Sequence, residues 1–104
     1  MTGFRIQAGT GHRLDQIYSY TRDTWGDAQA ERFIRGLFER FEAIAARRFA
    51  WAAIAADFGV DGYVCRYEMH YIYWRVLPNR DVGIVTVLHA RMHQANRFRE
   101  DAEV

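Results

Sequence analysis

Residues 63–92, YVCRYEMHYIYWRVLPNRDVGIVTVLHARM, constrain the fold more than any other stretch, because strand-forming side chains crowd there. Tyr, Val, Ile, Trp and Thr fill three runs, Tyr63 to Tyr67, Tyr71 to Leu77 and Val82 to Leu88, each of ordinary strand length. Glu68-Met69-His70 separates the first two, and Pro78-Asn79-Arg80-Asp81 has the Pro, Asn and Asp of a hairpin connection. The pattern predicts a three-stranded meander. Alternation puts Tyr71, Tyr73, Arg75 and Leu77 on one side of the middle strand and Ile72, Trp74 and Val76 on the other. Neither side is properly polar, so helices are expected over one face and another cover, such as a partner chain, over much of the other.

The helices come from the N-terminal half. Phe4 to Ala8 alternates as a short strand, and Thr10-Gly11 reads as a turn. From His12 to Trp25, apolar positions at Leu14, Ile17, Tyr18, Thr21 and Trp25 recur at steps of three or four. Gly26 breaks this helix. A second, from about Asp27 to Arg48, carries Ala30, Phe33, Ile34, Leu37, Phe38, Phe41, Ile44 and Ala45 on one face. The short break implies a helical hairpin, whose phenylalanines, with Trp25, form a layer on the sheet. The alanine-rich Phe49 to Asp61 reads as a helical turn or two, or as a connection anchored by Phe49, Trp51, Ile54 and Phe58. Gln94 to Glu100 can close the chain as a short helix, with a frayed acidic end. The expected class is α+β: an N-terminal strand and an antiparallel helix hairpin on a mostly antiparallel sheet, in one domain over residues 1–104.

Composition narrows the chemistry. At 104 residues, half of them hydrophobic, the chain can bury roughly 65 % of its unfolded surface and needs no staple. No apolar run approaches a membrane span, and the first ten residues lack the apolar core of a signal peptide, which points to the cytoplasm. Cys65 is the single cysteine, and His12, His70, His89 and His93 show no HExxH spacing, so neither a disulfide nor a metal or cofactor site is expected. Ser19, the one serine, lies inside the first helix, and no P-loop, GxGxxG or GxSxG is present.

All fourteen basic residues are arginine. Between Gly62 and Arg99 six of them meet only Glu68 and Asp81, giving this part +4 while the whole chain is +1. Such a patch suits nucleic acid or an acidic protein surface, or simply a solvated edge. Arg66, His70, Tyr71, Tyr73 and Arg75, with His89, Arg91 and His93, could hold a phosphate and move protons, as cleavage of RNA through its own 2′-hydroxyl requires. Histidines and tyrosines at strand ends are also commonly structural, and the residues leave both readings open.

Four segments in order add a resemblance: LDQIYSY at 14–20, WGDAQA at 25–30, YIYWRV at 71–76 and VLHARM at 87–92. Together with the element order, they resemble the RelE/ParE toxin superfamily of bacterial type II toxin–antitoxin systems, in its ParE branch. The resemblance implies a toxin of the plasmid-stabilisation kind, held in a hetero-oligomer by a ParD-like antitoxin and poisoning DNA gyrase without catalysing a reaction. Arg66, Trp74, Arg75, His89, Arg91 and Met92 would then form the surface for antitoxin or target. The alternative within the superfamily is a ribosome-dependent mRNA endoribonuclease, with His89 or His70 as acid or base and Arg66 and Arg91 on the phosphate. A relative that only binds its antitoxin is a third. The absence of lysine, and of tyrosine after Tyr73, departs from the nuclease pattern, and the alanine-rich 51–56 departs from the Pro- and Gly-rich segment usual in the family.

Overall fold

Two helices, α1 (Ala8–Trp25) and α2 (Asp27–Ala45), form the expected hairpin. The computed structural model describes residues 3–48 and 50–102, which leaves the expected anchor Phe49 outside the described residues. Gly26 joins the helices at φ 94°, a left-handed backbone that costs a residue without Cβ little, and its N–H donates to Arg22 O. The stripe on α2 is buried as its periodicity requires, with Ala30, Leu37, Phe41 and Ile44 fully enclosed. Trp25 does not join that layer. It stands 71 % exposed at the last turn of α1, where the helix has already passed the edge of the core.

The sheet has five strands in the order β1-β5-β4-β3-β2. The first, β1 (Phe4–Ile6), runs parallel to β5 (Val82–His89), with Phe4 opposite Val82. The meander follows as β3 (Tyr63–Tyr67), β4 (His70–Val76) and β5, all antiparallel. His70, expected in a turn, opens β4 instead, because Glu68 takes φ 52° and reverses the chain within two residues. The connection from α2 adds β2 (Ala52–Ala53) on the outer edge, then a single 3-10 turn at Ala56–Phe58. It is therefore more extended than its alanines suggest, since Ile54 is buried and the Trp51 indole donates to Ile44 O.

An irregularity divides β5. Tyr73 pairs with Thr86 and Trp74 with Ile84, so Val85 is an extra residue on β5. The fully buried Thr10 directs its hydroxyl to the carbonyls of Ile84 and Val85 at this bulge. This explains why α1 starts at Ala8 and runs through the Thr10-Gly11 pair expected to turn: the hydroxyl has a better partner in the sheet than in a loop.

Both faces of the sheet are covered. On the hairpin side Leu37, Phe41, Ile72, Trp74, Ile84 and Val87 form one core. On the other, Ile54, Tyr73, Val85, Leu88 and Phe98 form a second, capped by α3 (Gln94–Ala102). The expected partner cover is thus replaced over much of this face by the chain's own last helix. Its acidic end is fixed through Asp101, which takes a two-pronged ion pair from Arg13 at 3.1 Å and a hydrogen bond from the Thr86 hydroxyl. The Tyr73 hydroxyl donates to Gln94 at 2.8 Å and pins the start of the helix.

Candidate functional site

The β3–β4 turn and the end of β5 lie at the same end of the sheet, because Tyr67 pairs with His70 and His70 with His89. Antiparallel pairing thereby gathers Arg66, His70, His89, Arg91 and Met92 from three segments. Between this end and α1 lies an open cavity of about 410 Å³, whose walls include Arg13, Ile17, Tyr20, Val87, His89 and Met92. His70 and Arg91 complete its polar side.

His70 and His89 are direct cross-strand neighbours, with ring centres 5.1 Å apart and planes at 82°. His70 also rests 5.1 Å from the Phe33 ring, and its Nδ1 is buried without a hydrogen-bond partner among the described residues. Burial first, and the neighbouring His89 second, push this imidazole down from 6.5 to about 4. Near neutral pH it is therefore uncharged, with almost none of the protonated form a general acid needs. His89 accepts the Arg91 backbone N–H at Nδ1, 3.1 Å away, which leaves its Nε2 to face other groups.

Arg66 is exposed on β3, its Nε donating to Glu68 O at 2.8 Å and its guanidinium 5.6 Å from the Tyr71 ring centre. Arg91 is exposed after β5, and Met92 packs partly on the second core. The remaining two sequence candidates fall elsewhere. Arg75 pairs with Gly83, five residues along β4 from His70 and so roughly 17 Å away, beside a separate shallow hollow with Asp61 and Tyr63. Trp74, expected on the partner surface, is fully buried between the sheet and the hairpin and cannot touch a partner in this fold. Its side of β4 is the helix-covered one, and its indole meets Trp51 edge-on at 5.7 Å.

Sequence reasoning missed the α1 wall. Tyr20 lies off the apolar stripe yet is 66 % exposed, a large aromatic left on the surface, and that was the available signal. Arg13 gave none, since its partner Asp101 is 88 positions away. Among the described residues no group of three or more His, Cys, Asp or Glu side chains is arranged to hold a metal ion, and no helix is long and apolar enough to cross a membrane. The site can offer hydrogen bonds from imidazole side chains, the exposed guanidinium of Arg91 and an apolar floor.

Comparison with known proteins agrees with this architecture. The family model for the ParE toxin of type II toxin–antitoxin systems, parDE, matches residues 12–94, from the second turn of α1 to the first residue of α3. The chain is also 28 % identical over 100 residues to Toxin ParE of Escherichia coli, covering 96 % of each chain. The match embraces the helix hairpin, the meander and the cavity between them, and the chain belongs to the ParE toxin family of type II toxin–antitoxin systems.

Proposed function

We propose that the chain is a toxin that poisons DNA gyrase by binding, without catalysing a reaction of its own, and that a ParD-like antitoxin neutralises it in the cytoplasm. The observation that carries this reading is the state of His70. A nuclease working near neutral pH needs a group whose proton affinity lies close to that pH, whereas His70 is held neutral at about 4 and sits against Phe33. The same end of the sheet suits contact: Arg66 and Arg91 are exposed, and Arg91, Met92 and Tyr20 line one cavity, a mixture common at protein interfaces. His89, Arg66, Arg91 and Met92 are the proposed contact residues, with Arg75 on a separate part of the surface.

The test is a supercoiling and DNA-cleavage assay with purified gyrase, run beside ribosomes translating a defined mRNA. Trapped gyrase–DNA breaks with intact message are expected, and Arg91→Ala should weaken them while His89→Ala acts only as the loss of a contact. Codon-positioned cuts in the message, abolished by His89→Ala, with unaffected gyrase would overturn the reading in favour of a ribosome-dependent endoribonuclease. That second reading draws on the gathering of His89, Arg91 and Arg66 at one sheet end. Antitoxin binding with neither activity would identify a relative that only binds its partner.

A further inference from the structure

The cavity and the last helix share their fixings. Gln94, the first residue of α3, donates its side-chain amide to the backbone carbonyls of His89 at 2.8 Å and Met92 at 2.9 Å, and both of those residues line the cavity. Asp101, in the last turn of α3, accepts two bonds at 3.1 Å from Arg13, which lines the cavity from α1. We propose that α3 is a strap joining the two walls of the cavity: docked, it holds the α1 wall and residues 89–92 in one binding-competent arrangement, and undocked it dismantles the contact site.

Each end of the strap is fixed by more than one bond. The Tyr73 hydroxyl donates to the Gln94 side-chain oxygen, which turns the amide nitrogen toward the two carbonyls. At the other end the Thr86 hydroxyl ties Asp101 to β5, so the carboxylate that orients Arg13 is itself held by the sheet. Arg13 in turn donates to Gln16 at 3.1 Å, a further residue of the cavity wall, so two side chains of α1 take their orientation from Asp101. Gln94 and Asp101 stand seven residues apart on one helix, which makes the strap about 10 Å long.

The same helix is easily released. Phe98 is the one fully buried side chain it contributes, and most of its other residues are polar and exposed, so its docking depends heavily on the bonds at its two ends. On release Arg13 loses its charge partner and the carbonyls of His89 and Met92 lose the Gln94 amide. Residues 90–92 then keep only short-range ties of their own, such as the bond from Met92 N–H to His89 O. Linkage makes the effect reciprocal: docked α3 favours an occupant of the cavity by the factor by which that occupant favours docked α3.

The contact that the strap controls is the gyrase contact, and this part rests on the proposed function; hydrogen exchange in the purified free chain does not. Gln94→Glu keeps an oxygen for Tyr73 but removes both donations to the 89–92 wall, and Asp101→Asn frees the opposite end. Each should speed exchange of the amides of residues 90–92 together with those of α3 by about tenfold or more, with α2 and the β3–β4 pair unchanged. Asp101→Asn discriminates, because a purely local role for its bonds to Arg13 and Thr86 would leave residues 90–92 at their wild-type rate. Phe98→Leu undocks the helix more mildly and replaces Asp101→Asn should that variant not fold. Arg97→Ala, exposed on α3 and paired with Glu100, should leave exchange as in the wild type. At equal concentrations of folded protein, trapped gyrase–DNA breaks should fall by about tenfold in the variants whose α3 is loosened. Wild-type exchange at residues 90–92 in a folded variant whose α3 exchanges fast, or undiminished trapping by that variant, would overturn the strap. A wild-type chain without effect on gyrase would overturn the gyrase reading alone, and the exchange rates would still decide the strap.

Discussion

Gly36 lies in the middle of α2, where replacement of glycine by alanine ordinarily stabilises a helix by about 1 kcal/mol. In this chain the sign should reverse. A Cβ at Gly36 would stand 2.3 Å from the Tyr67 hydroxyl oxygen, which donates to Phe33 O at 3.0 Å. Tyr67 must swing away, forfeiting about 1 kcal/mol of hydrogen bond and part of its edge-on contact with Phe33, whose ring centre is 5.2 Å distant. With about 1–3 kcal/mol of overpacking, and the helix gain subtracted, Gly36→Ala should cost about 1–3 kcal/mol. In a Tyr67→Phe background the obstacle is gone and the nearest ring atoms lie at 3.4 and 3.7 Å, so the same substitution should be neutral or stabilising by up to about 1 kcal/mol. Chemical denaturation of the four proteins in this cycle should give a coupling of about 1–4 kcal/mol. An equal effect of Gly36→Ala in both backgrounds would refute the claim that Gly36 is small to admit Tyr67.

Further outcomes follow from other contacts. Because burial lowers His70 to about 4 from an ordinary 6.5, the folded state prefers the neutral ring; stability should be complete above pH 6.5 and fall as the pH drops toward 4. The loss, discounted for partial solvent access, is about 2 kcal/mol at most, and His70→Phe should flatten that part of a denaturation-versus-pH curve. Asp101→Asn leaves Arg13 without its charge partner at a site where the two side chains are only 13 and 11 % exposed. It should cost about 3–5 kcal/mol and speed hydrogen exchange in α3 before the rest of the chain. Thr10→Val keeps the volume but removes the hydroxyl that serves the bulge carbonyls, and should lower stability by about 1–3 kcal/mol in thermal melts. Glu68→Asn suits the φ of 52° better and should raise stability by a few tenths to about 1 kcal/mol.

Periodicity made the larger elements legible. The α2 stripe and the three meander runs are set by local alternation, and the buried residues follow it. What escaped was fixed by contacts distant in sequence. The start of α1 depends on Thr10 meeting Val85, 75 positions away, and the docking of α3 on Arg13 meeting Asp101. Trp74 was misplaced on the partner surface because composition shows that a tryptophan is present but not which face of a doubly covered sheet receives it. For the site, the histidines and arginines were recognisable as a group, while its α1 wall required the hairpin to be folded over the sheet.

The extra residue at Val85 also decides where the chemistry of the sheet end points. Val85 and Thr86 both serve the α3 side, which shifts the parity of every later position in β5. Val87 therefore returns to the hairpin side, and His89, opposite His70, comes with it. Deleting one residue here would keep the composition of the strand almost intact yet turn Leu88 toward the helices and His89 toward the opposite side. Length changes in this strand would thus have to come in pairs, so gap placement around residue 85 becomes a criterion for deciding which relatives keep the two imidazoles on one side.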